Sequence, residues 1–119
     1  MKGIAAYKEN AVTTQSKGRL VVLLYEGAIK FLKQALIELE ARDNARKGEY
    51  INKAVAIIDE LDSCLDMDAG GEIAQNLCSL YQFMRRHLWE ANMQRDPQQI
   101  REVIGILEDL NKGWSAITT

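Results

Sequence analysis

Proline occurs once in the 119 residues, and aromatic side chains make up 7% of them. Both shortages point to a mostly helical chain, because proline interrupts helices and strands favour aromatic and β-branched residues. No stretch alternates apolar and polar residues for long, so no strand is predicted. The longest wholly apolar run, Leu20 to Tyr25, has six residues. A membrane span needs roughly 20, so no direct membrane insertion is expected. The opening MKGIAAYKEN has no apolar core of the kind a secretory signal requires. Positive charge is not in excess: 15 Lys and Arg stand against 17 Asp and Glu, a formal net charge of −2. With a pI near 5.4, a general nucleic-acid binder is excluded, since neutralising phosphates takes a basic surface. The two cysteines, Cys64 and Cys78, fit a reducing cytoplasm, and nothing in the sequence demands that they pair.

Site chemistry is equally sparse. There is no Walker loop, GxGxxG or nucleophile elbow. His87 is the single histidine, and the position three before it is Met84, so the Glu-x-x-His pairs of a di-iron bundle are missing. Cys64, Cys78 and His87 lack the close spacing of zinc ligands. Asp59, Glu60 and Asp62 cluster, but a calcium loop also needs a glycine and a terminal Glu in fixed register. No cofactor and no metal are expected. Bundles with one helical histidine are similar to histidine phosphotransfer domains, which carry a Lys and a Gly shortly after the His. Here the sequence reads Leu88-Trp89-Glu90-Ala91, bulky and acidic.

What the chain does have is helical periodicity. Apolar residues make up 47% and charged residues 27%, the mix of one globular domain. Four helices are predicted, over about 17–41, 45–65, 72–95 and 97–118, preceded by an arm or short helix at 1–15. Ser16 and Asp43 or Asn44 stand where N-caps belong. Ile51, Ala54, Ile58, Leu61 and Leu65 form the stripe of the second helix. Ile73, Leu77, Leu80, Met84, Leu88 and Ala91 form that of the third. Asp96, Pro97 and Gln99 mark the start of the fourth, whose stripe runs through Ile100, Val103, Leu107, Leu110, Trp114 and Ile117. Gly70-Gly71 with Asp66 and Asp68 is turn chemistry. Short links force neighbours antiparallel, so the expected fold is all-α, an up-down-up-down four-helix bundle.

The first helix carries more apolar surface than a surface helix needs. At roughly 100° per residue its apolar arc spans about 200°. Either it is the most buried of the four, or part of the arc lines a groove for another chain that the N-terminal arm covers. Trp89 falls off the main stripe of its helix, the position of an exposed interface anchor.

These residues also carry a family resemblance. Leu24-Tyr25-Glu26-Gly27-Ala28-Ile29 with Phe31-Leu32 resembles the L-Y-(D/E)-G-A-I-x-F-L motif of flagellar secretion chaperones of the FliS type. Leu65-Asp66, then Gly70-Gly71-Glu72-Ile73-Ala74, then Asn76-Leu77 resembles their L-D-x-x-x-G-G-E-I-A-x-N-L signature. Leu80-Tyr81, Glu90-Ala91-Asn92, Val103-Ile104-Gly105 and Leu107 fit as well, and Tyr7, Val12 and Thr14-Gln15-Ser16 match the lead-in. Where the family often has proline after that Ser, this chain has Lys17, which alters only a preorganised first turn.

The resemblance implies a cytoplasmic, non-enzymatic export chaperone. Its partner is the C-terminal segment of flagellin, held unpolymerised and competent for flagellar type III secretion. It further implies docking at a flagellar export-gate protein in the membrane, and leaves room for another flagellar regulator and for a homodimer. Carried over from it, Ile4 and Tyr7 are arm residues that cover the groove and serve in docking. From the apolar arc, Leu20, Leu23, Leu24, Tyr25 and Ile29 are the expected flagellin contacts. The rival readings are phosphotransfer through His87 and a homo-oligomeric structural bundle.

Overall fold

Apolar residues three and four apart put a continuous seam on each helix, and four such seams close on one another. The computed structural model describes residues 17–118. Its helices are α1 (Lys17–Glu40), α2 (Asn44–Ser63), α3 (Met67–Gln94) and α4 (Pro97–Thr118). No strand occurs among the described residues. Each helix packs on its two neighbours around a ring, α1 on α2 and α4, α3 on α2 and α4. The fold is an all-α four-helix bundle. The arm at 1–15 and the Ser16 cap lie outside the described residues.

Two of the three corners are built alike. After α1, Arg42 turns left-handed (φ 62°), and the Asp43 amide donates to the Glu38 carbonyl at 2.9 Å. Asp43 then accepts from the Arg46 amide at 3.0 Å and caps α2. After α3, Arg95 is left-handed (φ 54°), and the Asp96 amide donates to the Ala91 carbonyl at 3.1 Å. Asp96 in turn accepts from the Gln98 amide at 2.9 Å at the start of α4. In both, one Asp ends one helix and caps the next, so orphan carbonyls and orphan amides are satisfied within two residues. Gln99 does not close a capping box; its side chain donates to Glu90 instead, at 3.1 Å.

The α2–α3 corner is looser. Asp66 accepts from the Asp68 and Ala69 amides at 3.1 and 2.9 Å, which starts a helical turn at Met67, ahead of the glycines. Gly71 then departs from helical geometry (φ 53°, ψ −129°), a conformation essentially reserved for glycine. The break expected at Gly70-Gly71 is therefore a kink between one capped turn and the rest of α3.

Inside the bundle, Leu32, Ile58, Met84, Leu88, Ile100 and Leu107 are fully buried, each contributing roughly 1.5–3 kcal/mol. The wide arc of α1 is mostly consumed here, because α1 packs on two helices at once. Leu20, Leu24, Ala28 and Ala35 are buried, and Val21, Ile29, Leu36 and Leu39 pack against the core. Of its large apolar residues only Ile37 is exposed. The arc is thus not a free face. The exposed apolar side chains sit mainly on α3: Met67, Ile73, Phe83, Trp89 and Met93.

Lys47 is buried. Its ammonium donates to the Asn92 carbonyl at 3.0 Å, one of the carbonyls left open at the C-terminus of α3. Burial, with Arg95 as a lesser cause, lowers its pKa.

Candidate functional site

The loose corner leaves an apolar groove of about 890 Å³. Leu20 and Val21 of α1, Leu61 of α2, Ile73 and Leu77 of α3, and Trp114 of α4 supply most of its apolar wall. The kink at Gly71 sets the first turn of α3 at an angle to the rest of the helix. Met67 and Ile73 consequently stand on the groove with 46% and 72% of their surface exposed. Ile73 was expected on the core stripe; two residues after the kink its side chain is turned outward, while the adjacent Ala74 is the one that is buried.

Polar groups in the groove are few. Asp66 is occupied by two amides, and the Ser63 hydroxyl donates to the Glu60 carbonyl at 2.8 Å. At the groove's inner end is Tyr81, whose hydroxyl lies 2.6 Å from that of Tyr25. Burial pushes both phenol pKa values up. Trp114 is hydrogen-bonded to Tyr25, which lowers the Tyr25 pKa in part, and since indole has only its N–H it is the donor.

A second, more open concavity of about 540 Å³ lies between the outer faces of α1 and α4. Ile29 and Ile37 form its apolar part, and Lys33 bridges it to Glu108 at 3.6 Å.

The expected contact residues therefore separate. Leu20 reaches the groove and Ile29 the second concavity. Leu24 and Tyr25 are core residues and present no surface, while Leu23 is half-buried and lines neither depression. Ile4 and Tyr7 lie outside the described residues. Leu61, Met67, Ile73, Leu77 and Trp114 had not been chosen as contacts. The signal that could have found Ile73 and Leu77 is the second motif: Leu65, Asp66, Gly70, Ile73, Ala74 and Leu77 all belong to it, and all line the groove, whereas Leu61 and Trp114 lie outside it.

His87 stacks on Phe83 with ring centroids 4.9 Å apart, and its Nε2 is buried 3.6 Å from the Glu102 carboxylate. A phosphoryl acceptor needs an open nitrogen away from negative charge, so this geometry does not support phosphotransfer. Among the described residues no three His, Cys, Asp or Glu side chains come together as a metal site. Nor is any described helix long and apolar enough to cross a membrane.

The sequence profile described as "Flagellar protein FliS" matches residues 1–119. The chain belongs to the FliS family of flagellar secretion chaperones. It is 42% identical to the flagellar secretion chaperone FliS of Salmonella typhimurium, over 98% of this chain and 90% of that protein. Identity to the Vibrio cholerae chaperone of the same name is 38%, again over 98% and 90%. Identity to the Bacillus subtilis one is 35%, over 92% and 80%. The family is one of chaperones and not of enzymes.

Proposed function

We propose that this chaperone holds the C-terminal segment of flagellin in the groove at the α2–α3 corner. Holding it blocks premature polymerisation in the cytoplasm and keeps the subunit competent for type III export. The observation that supports this reading is the convergence of the second motif on one apolar, open depression. An amphipathic segment that folds on the bundle gives up about 2–5 kcal/mol of ordering free energy, which burying about 1,000–3,000 Å² offsets. With Ser63 and Asp66 already hydrogen-bonded, the groove favours an uncharged, apolar face. The arm at 1–15, with Ile4 and Tyr7, acts as the cover that flagellin displaces and then docks at the export gate.

Calorimetric titration with a synthetic flagellin C-terminal peptide tests the reading. Ile73→Glu places a charge on the groove without touching the core, and it is expected to weaken binding at least about tenfold. Undiminished affinity in the folded variant would remove the groove from the site.

A further inference from the structure

One residue separates the first turn of α3 from the rest of that helix. Gly71 has φ 53° and ψ −129°, and the chain is helical on either side of it. The turn ahead of it, residues 67–70, starts from Asp66. The Asp66 carboxylate accepts from the Asp68 and Ala69 amides, and its carbonyl accepts from the Gly70 amide at 2.7 Å. All four residues of the turn are exposed, and the first buried residue of α3 is Ala74. The turn can therefore move without uncovering the core. At its other end Leu65 and Asp66 join it to α2 and belong to no helix, which supplies a second pivot.

Gly70 marks the form the turn occupies. A Cβ at residue 70 would meet the Ala74 Cβ at 2.7 Å, whereas residues four apart in a regular helix keep theirs roughly 5–6 Å apart. Ala74 is buried and has no longer side chain to swing aside. The kinked form thus needs glycine twice, at 71 for its torsions and at 70 for room. A continuous helix needs neither, and each glycine disfavours it relative to alanine. The two glycines together tip the turn towards the kinked form, in which Met67, Ala69 and Gly70 line the groove.

We propose that the turn at 67–70 is a hinged wall of the groove, set in place by the kink at Gly71 and clamped there by the bound segment. This rests on the reading of the groove as the segment's site. A segment lying against Met67 gains that contact only from the kinked form, so binding draws the turn towards it. Methionine suits such a wall, because an unbranched side chain with a polarisable sulfur adapts to irregular apolar faces. Without the segment the turn swings on its two pivots and leaves the groove open to entry.

The test uses the full chain and reads the backbone of residues 68–73 from NMR Cα shifts. Gly70→Ala takes away the room that the kink requires. It is expected to give uninterrupted helical shifts through 71, with the methyl of the buried Met84 unmoved. A folded Gly70→Ala that keeps the break at 71 overturns the hinge. Where Gly70→Ala does not fold, Gly71→Ala takes its place, and loss of the whole bundle in both also overturns the hinge, since the turn then does not move separately. In the second arm a flagellin C-terminal peptide is titrated. Met67→Ala is expected to weaken binding about fivefold in the natural chain, and not at all when added to Gly70→Ala, in which the wall is already withdrawn. Equal losses in the two backgrounds overturn the clamp and leave the groove reading intact. No peptide binding to the natural chain defeats the groove reading and the clamp with it, and the shifts still decide the hinge.

Discussion

The hydroxyls of Tyr25 and Tyr81 meet at 2.6 Å across the diagonal of the bundle, joining α1 to α3, two helices that do not pack as neighbours. Removing the Tyr25 hydroxyl takes away the hydrogen-bond partner of the buried Tyr81 hydroxyl. Tyr25→Phe is expected to cost about 1–3 kcal/mol, and Tyr25→Phe with Tyr81→Phe less than the sum of the two singles. Urea unfolding of the two singles and the double measures this. Strict additivity would mean that the two hydroxyls do not interact.

The same pair sets an alkaline limit. Burial is the main cause of both raised pKa values, and each starts from an ordinary 10.0. A group whose pKa is raised by folding contributes stability that is fully present below the unfolded value and disappears as pH climbs towards the folded one. Stability should therefore fall above pH 10, with two tyrosines ionising only as the chain unfolds. Absorbance at the phenolate band, followed beside circular dichroism, shows whether the two events coincide.

Glycine substitutions should separate by backbone conformation. At Gly71 an added Cβ meets nothing within 4 Å, but φ is 53°, so Gly71→Ala is disfavoured by torsion alone, by about 1–3 kcal/mol. Gly105 also faces open space and lies within a helix, so Gly105→Ala should stabilise by up to about 1 kcal/mol. Thermal melts of the two variants should move in opposite directions.

Arg95 is left-handed at the end of α3, and its charge is one of the causes that lower the Lys47 pKa. Arg95→Gly relieves both the backbone and the charge crowding, and should stabilise by about 1 kcal/mol. An unchanged urea midpoint would show that neither effect is felt.

Much of the architecture was legible because three- and four-residue spacing is a local property. The helix starts at Asp43 and Asp96 were legible for the same reason, since a cap acts over three residues. The groove was not. A helical wheel counts apolar positions on α1 but not how many helices share them, and packing on both α2 and α4 buried Leu24 and Tyr25. Nor does a wheel know where a helix kinks, so Ile73 looked like a core residue although, two residues after Gly71, Ala74 is buried in its stead. Lys47 gave no sign of burial, because its partner is a carbonyl 45 residues away.

Trp114 lines the groove, whereas Trp89 stands on the outside of α3. With Trp89→Phe the first becomes the one tryptophan and reports on the groove directly. Fluorescence titration of that variant with the flagellin C-terminal peptide is therefore the most direct measurement. A saturable blue shift of the emission with loss of iodide quenching is the predicted result. Binding detected by calorimetry without any change at Trp114 would contradict the account.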